Sequence, residues 1–151
     1  MNFLRYESPE YQLKIDYPSE WLKVDDRTIL HDNIIVGFGR RGSDSFLESV
    51  TIYQLKIPPN ESNISPKELV DQNMSDLKNK NPSFNLIELA PTTIAGLPAY
   101  QVLYTTRGYK TLNVCTIKGN KVYMIVYGAK PDTYQEYIST VEQMIASFEF
   151  L

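Results

Sequence analysis

Residues 110–129 read KTLNVCTIKGNKVYMIVYGA. Two runs rich in β-branched and aromatic residues flank Gly119-Asn120, a two-residue linker of the kind a tight hairpin requires. In the second run Val122, Met124 and Val126 fall on one face, and Tyr123, Ile125 and Tyr127 on the other. Side chains alternate across a strand, so neither face is left plainly for water. Both faces of this hairpin are expected to be covered, and the rest of the chain has to supply the covers.

One cover lies downstream. Tyr134, Tyr137, Ile138, Val141, Met144, Ile145 and Phe148 recur at three- and four-residue steps, which places them on one side of a helix. Asp132 with Gln135 three residues on resembles a capping box, and Pro131 suits the approach to the first turn. The second cover lies upstream, where Ser65, Pro66 and Glu68 read as N-cap, first helical residue and capping-box partner. Leu69, Val70, Met74 and Leu77 follow at helical spacing until Asn81, which Pro82 disfavours from continuing the helix.

Between the helices stand four strand candidates, residues 84–94, 99–106, 110–118 and 121–129. Ahead of them, YQLKIDYPSEW (residues 11–21) sets Leu13, Ile15 and Tyr17 against Gln12, Lys14 and Asp16, the period-two pattern of a strand. Pro18 ends it, and the turn that follows delivers Trp21 into a second short strand and the core. Residues 33–41 and 47–58 read as a third and a fourth strand, with a Gly-Ser-Asp loop between them. Such an element order predicts an α+β fold, an antiparallel β-sheet sandwiched between helices. With no internal repeat or low-complexity segment, residues 1–151 are expected to form a single domain.

Composition narrows the function classes. A chain of 151 residues has room for a hydrophobic core and needs no disulfide or metal staple. The net charge of −3 creates no field that would gather nucleic acid or anionic lipid, so no nucleic-acid partner is expected. The apolar runs are only a few residues long, too short to span a bilayer. Cys115 is the single cysteine and has no internal disulfide partner. The opening MNFLRYESPEYQLK lacks the basic, apolar and small-residue order of a signal peptide, so any membrane association is expected through a segment absent from this chain.

Three segments in order resemble one known family. YQLKIDYPSEW is similar to its N-terminal signature, a strand ending in Tyr-Pro and a turn into Trp. TTIAGLPAYQVLYT (residues 92–105) is similar to its central hairpin, and residues 119–150 resemble its closing strand and helix, which ends in Ser-Phe and a short tail. The resemblance is to the PsbP-like domains, extrinsic proteins of the photosynthetic oxygen-evolving complex and their non-photosynthetic relatives. It implies an antiparallel sheet between helices and a non-enzymatic accessory or binding role in an extracytoplasmic, exported or membrane-tethered setting. A second branch of the fold binds the nuclear GTPase Ran, which leaves a cytoplasmic protein-binding module as the alternative; bacterial relatives are envelope lipoproteins. Photosystem docking in the photosynthetic members depends on an N-terminal extension and basic surface residues, from which this acidic chain departs.

The residues that could carry chemistry are few. His31, the only histidine, stands near Asp25, Asp26 and Asp32, a set of oxygen and nitrogen ligands for a divalent cation if they converge and a solvated loop if they do not. No catalytic residue and no other cofactor is expected. Cys115 reads as a small buried hydrophobe, since no His or basic cluster adjoins it in sequence. Arg40-Arg41 could clamp an anion or simply end a strand in water. GFGRRG (residues 37–42) matches dinucleotide-loop spacing, but the next element reads as a strand instead of the helix such a loop needs. Asn60, Asn63 and Asn73 begin glycosylation acceptor triplets, in keeping with an extracytoplasmic home. In TTIAGLPAYQVLYTT, Gly96 supplies a turn, Pro98 enters the next strand, and Tyr100, Val102 and Tyr104 share a face, which marks a corner of the fold and no site. The partner is expected to be a protein or a small ligand, sought in a groove that the eleven tyrosines could edge.

Overall fold

The computed structural model describes residues 1–40 and 48–151. The Gly-Ser-Asp loop, Arg41, Gly42 and the start of the fourth strand expected at Leu47 lie outside the described residues.

Among the described residues the strands are β1 (Phe3–Ser8), β2 (Leu13–Pro18), β3 (Trp21–Val24), β4 (Ile34–Arg40), β5 (Ser49–Lys56), β6 (Asn85–Ile94), β7 (Leu97–Thr106), β8 (Tyr109–Lys118), β9 (Lys121–Ala129) and β10 (Glu149–Phe150). The α-helices are α1 (Pro66–Lys80) and α2 (Pro131–Ser147), with a short 3-10 turn at Pro59–Glu61 ahead of α1. Seven strands form one antiparallel sheet in the order β3-β4-β5-β9-β8-β7-β6, and β1, β2 and β10 form a small second sheet.

Three consecutive two-residue hairpins build the right half of the large sheet. Ile94 pairs with Leu97, Thr106 with Tyr109 and Lys118 with Lys121. Ala95 and Gly96 both carry positive φ (51° and 79°), as do Arg107 and Gly108 (48° and 80°), the type I′ pattern whose twist suits the flanking strands. Gly119 carries φ 64° as the first central residue of the third turn, the position type II′ reserves for glycine.

The two faces of β9 part as the alternation requires. Tyr123, Ile125 and Tyr127 join the larger core with Trp21, Phe38, Val50 and Ile52, beneath Tyr134, Val141, Met144 and Phe148 at α2. Val122 joins a second core, with Met124 packed against it, beneath Val70 and Met74 of α1. The small sheet packs on the α2 side through Tyr6, Leu13, Ile15 and Tyr17. Tyr17 stacks on Phe38 at 4.8 Å between ring centroids. The molecule is therefore layered, with α1 on one face of the large sheet and α2 plus the small sheet on the other.

The start of α1 forms as its residues dictate: Ser65 Oγ accepts from the Glu68 N–H, the Glu68 side chain accepts from the Ser65 N–H, and Pro66 opens the helix. The start of α2 differs from expectation. Its N-cap is Lys130, with no side-chain cap, and the Asp132–Gln135 capping box does not form. Pro131 occupies the first helical position, where its missing N–H costs nothing, and the N–H groups of Thr133 and Tyr134 reach Lys130 O. Asp132 is thereby carried into the first turn, where its charge favours the helix dipole.

Two strands go beyond the sequence reading. β1 pairs residue for residue with β2, and β10 returns the C-terminus to Leu13 and Lys14 of β2. At that junction Ser147 Oγ accepts from the Asp16 N–H at 2.8 Å and donates to Met144 O, tying the end of α2 to the small sheet.

Candidate functional site

The large sheet is wider than its cover on the α2 side. Helix α2 packs on β2, β8 and β9, so the part of the same face made by β6, β7 and the outer half of β8 stays open beside it. The result is a cleft of about 1050 Å³ between helix and sheet, just above the roughly 300–1,000 Å³ typical of ligand pockets.

Its floor is apolar, from Leu103 of β7 and Leu112 and Val114 of β8. Its helix wall comes from Tyr134, Ile138, Ile145 and the exposed Ala146. Charged and amide groups form the rim: Glu88, Gln101, Lys110, Lys118, Glu142 and Glu149. The strand period produces this set, because Lys110, Leu112, Val114 and Lys118 all stand on the same face of β8. Gln101 Nε2 donates to Glu88 Oε1 at 3.3 Å across β7 and β6. The two lysines sit over aromatic rings, Lys110 Nζ 4.6 Å from the Tyr134 centroid and Lys118 Nζ 4.4 Å from that of Phe150. Desolvation pushes the Tyr134 hydroxyl up to about 12, so it meets the cleft as a neutral phenol. A trough with an apolar floor and a polar rim bearing charges of both signs can hold an extended chain or an amphiphilic small molecule by contact area and hydrogen bonds.

The Ala95-Gly96 turn forms one end of the cleft together with Leu97, whereas Pro98 does not line it. The corner read from TTIAGLPAYQVLYTT thus also borders the open face, a role its residues alone do not declare. Tyr134, on α2, is the only tyrosine that lines this cleft among the described residues. Tyr6, Tyr17, Tyr104, Tyr123 and Tyr127 are buried instead, where large rings fill the space between layers.

The sequence-derived candidates lie elsewhere. Asp25, Asp26, His31 and Asp32 are exposed on the connection between β3 and β4. Asp26 Oδ1 accepts from the Thr28 N–H at 2.9 Å and from Thr28 Oγ1 at 2.7 Å, bonds that hold its carboxyl below the usual range. Asp25 pairs with Lys23 at 3.6 Å. Among the described residues no group of three or more His, Cys, Asp or Glu side chains converges as a metal site. Cys115 is buried on the α1 face, on the opposite side of the sheet from the cleft. Arg40 is already engaged, 3.3 Å from the buried Glu48 carboxylate and over the Tyr137 ring. Asn60, Asn63 and Asn73 are all exposed, the last within α1.

A wide antiparallel sheet with a helix on each face and an open trough beside one helix defines a small α+β sandwich domain. The comparisons place it: the PsbP-like protein family matches residues 1–150, and the chain belongs to that family. The solution structure of cyanobacterial PsbP (CyanoP) from Synechocystis sp. PCC 6803 is similar with a TM-score of 0.73 at 16% identity, over 99% of this chain and 92% of that one. LpqN of Mycobacterium tuberculosis, involved in cell envelope biogenesis, is similar with a TM-score of 0.62 at 14% identity, over 99% and 91%. A protein of unknown function from Pseudomonas aeruginosa gives 0.61 at 13% identity, over 95% and 93%. At these identities the likeness shows the shared fold. No curated protein matches the sequence.

Proposed function

We propose that this chain is a non-enzymatic PsbP-like accessory domain that binds a protein partner in the cleft between α2 and strands β6 to β8, outside the cytoplasm and on a membrane-tethered assembly. The observation that carries the reading is the cleft itself, a largely polar trough with an apolar floor and charges of both signs along its rim. Its length and open side suit an extended segment of a partner more than a compact substrate, which an enclosed pocket would bury more completely.

A non-catalytic role is supported by where the reactive groups lie. His31 is on an exposed connection and Cys115 is on the other face of the sheet, so neither shares a pocket with the other or with the cleft carboxylates. The extracytoplasmic setting draws on the family resemblance and on the envelope relative, LpqN. No helix among the described residues is long and apolar enough to cross a membrane.

The test is a comparison of three tagged versions in the native host: wild type, Ala146→Trp, which fills the trough, and Lys78→Trp, on the exposed face of α1. Partners recovered with the wild type are expected to persist with Lys78→Trp and to vanish with Ala146→Trp, from the cell fraction outside the cytoplasm. Equal recovery with both variants would move binding away from the cleft. Recovery from the cytoplasm with a soluble GTPase would instead favour the analogy with the Ran-binding branch.

A further inference from the structure

A second, smaller pocket of about 220 Å³ opens on the other face of the sheet, under the edge of α1. Its walls are apolar side chains of three elements: Leu55 of β5, Leu69 and Val70 of α1, and Val122 of β9. Two other groups set into this wall are unusual there. Asn113 of β8 is 95% buried, and its Oδ1 has no hydrogen-bond partner. Its Nδ2 has only a weak acceptor, Met124 Sδ at 3.7 Å. Cys115 stands two residues along the same strand face. A carboxamide left unsatisfied inside an apolar pocket costs free energy that the fold does not recover, and an apolar residue would fill a β8 position more cheaply.

We propose that this pocket binds a small apolar molecule, on the scale of a single aromatic ring, that carries one hydroxyl or N–H donor for the Asn113 carboxamide. The volume fits, since a dry apolar cavity of roughly 150 Å³ holds benzene. Met124 is the adaptable part of the wall: it is half-buried beside Asn113, and its unbranched thioether can rotate aside to admit the donor group to Oδ1. The site is separate from the cleft, and its ligand need have nothing to do with the protein partner.

Phenol and toluene test the idea, because they share a ring and differ in the donor. Titrated into the folded chain and followed by the amide resonances of Val70, Asn113 and Cys115, phenol is expected to bind about tenfold more tightly than toluene, against their order of hydrophobicity. Phenol is also expected to slow the reaction of the lone Cys115 thiol with methyl methanethiosulfonate, which forms a methyl disulfide on its sulfur and releases methanesulfinate, whereas toluene at the same concentration slows it less. In Asn113→Leu the order reverses, and toluene binds better. Should that variant fold poorly, Leu69→Trp, which closes the mouth, is expected to abolish both titrations. Toluene binding as well as phenol to the wild type, or neither ligand moving these resonances, would overturn the assignment.

Discussion

Tyr127 shows how one residue ties the layers together. Its hydroxyl donates to Tyr134 O at 3.0 Å while its ring lies 4.9 Å from that of Tyr134, joining the middle of the sheet to the first turn of α2. Tyr127→Phe keeps the ring and removes the donor; it is expected to cost about 1 kcal/mol in urea unfolding. Burial raises the phenol pKa of Tyr127 and of Tyr134, the latter to about 12, and raises the Cys115 thiol to about 11. These groups are neutral when folded and lose their protons more readily when unfolded. Their stabilising contribution is therefore whole below the ordinary values of 9.0 and 10.0 and is lost as pH climbs toward the folded ones. The unfolding midpoint is expected to fall between about pH 9 and 12, less steeply in Tyr127→Phe. Cys115 adds an independent readout: its alkylation rate should keep rising past pH 9 and level off near pH 11. A plateau near pH 9 would mean an exposed thiol. That Cys115 is buried could be read from its strand; that Asn113 beside it lacks a partner could not, because satisfaction depends on which strands and helix surround the carboxamide.

At the scale of elements, local chemistry and tertiary packing can be separated. The Ser65–Glu68 box forms as its spacing indicates because the partners belong to the same turn. Ser65→Ala is expected to lower stability by about 1 kcal/mol, read as a shift in the thermal midpoint, while Asp132→Ala should cost less because Asp132 makes no cap. The Asp132–Gln135 spacing was equally suggestive, and Pro131 decided against it by fixing the helix start two residues earlier. Gly96, at φ 79°, is strained as any other residue, so Gly96→Ala is expected to cost on the order of 1 kcal/mol although a methyl there meets nothing. The strands that escaped the sequence reading are the ones defined by long-range pairing. In β1 only Tyr6 and Ser8 are buried, leaving little alternation to see, and β10 is two residues long and exists by pairing with β2.

At the scale of the molecule, the layering followed from one hairpin with two apolar faces, and that is why the α+β sandwich was legible. The cleft was not. It arises because α2 covers β8 and β9 and leaves β6 and β7 bare, a matter of how a helix lies on a twisted sheet and not of any motif. Its lining is drawn from five elements, and residues such as Gln101, Leu103 and Ala146 look ordinary where they stand in the chain. Asp25, Asp26, His31 and Asp32 gave the louder chemical signal and sit on an exposed connection remote from that lining. The acidic balance of the whole chain likewise hides the two lysines held over Tyr134 and Phe150 along the trough.

We propose that a partner segment lies in this trough. Photo-crosslinking in the native host tests it most directly, with the reactive residue placed at Gln135 in the cleft wall or, as a control, at Lys78 on α1. Discrete adducts are expected from Gln135, lost when Ala146→Trp is added, and none of the same mass from Lys78. Adducts from Lys78 alone, or the same adducts from both positions regardless of Ala146→Trp, would contradict it.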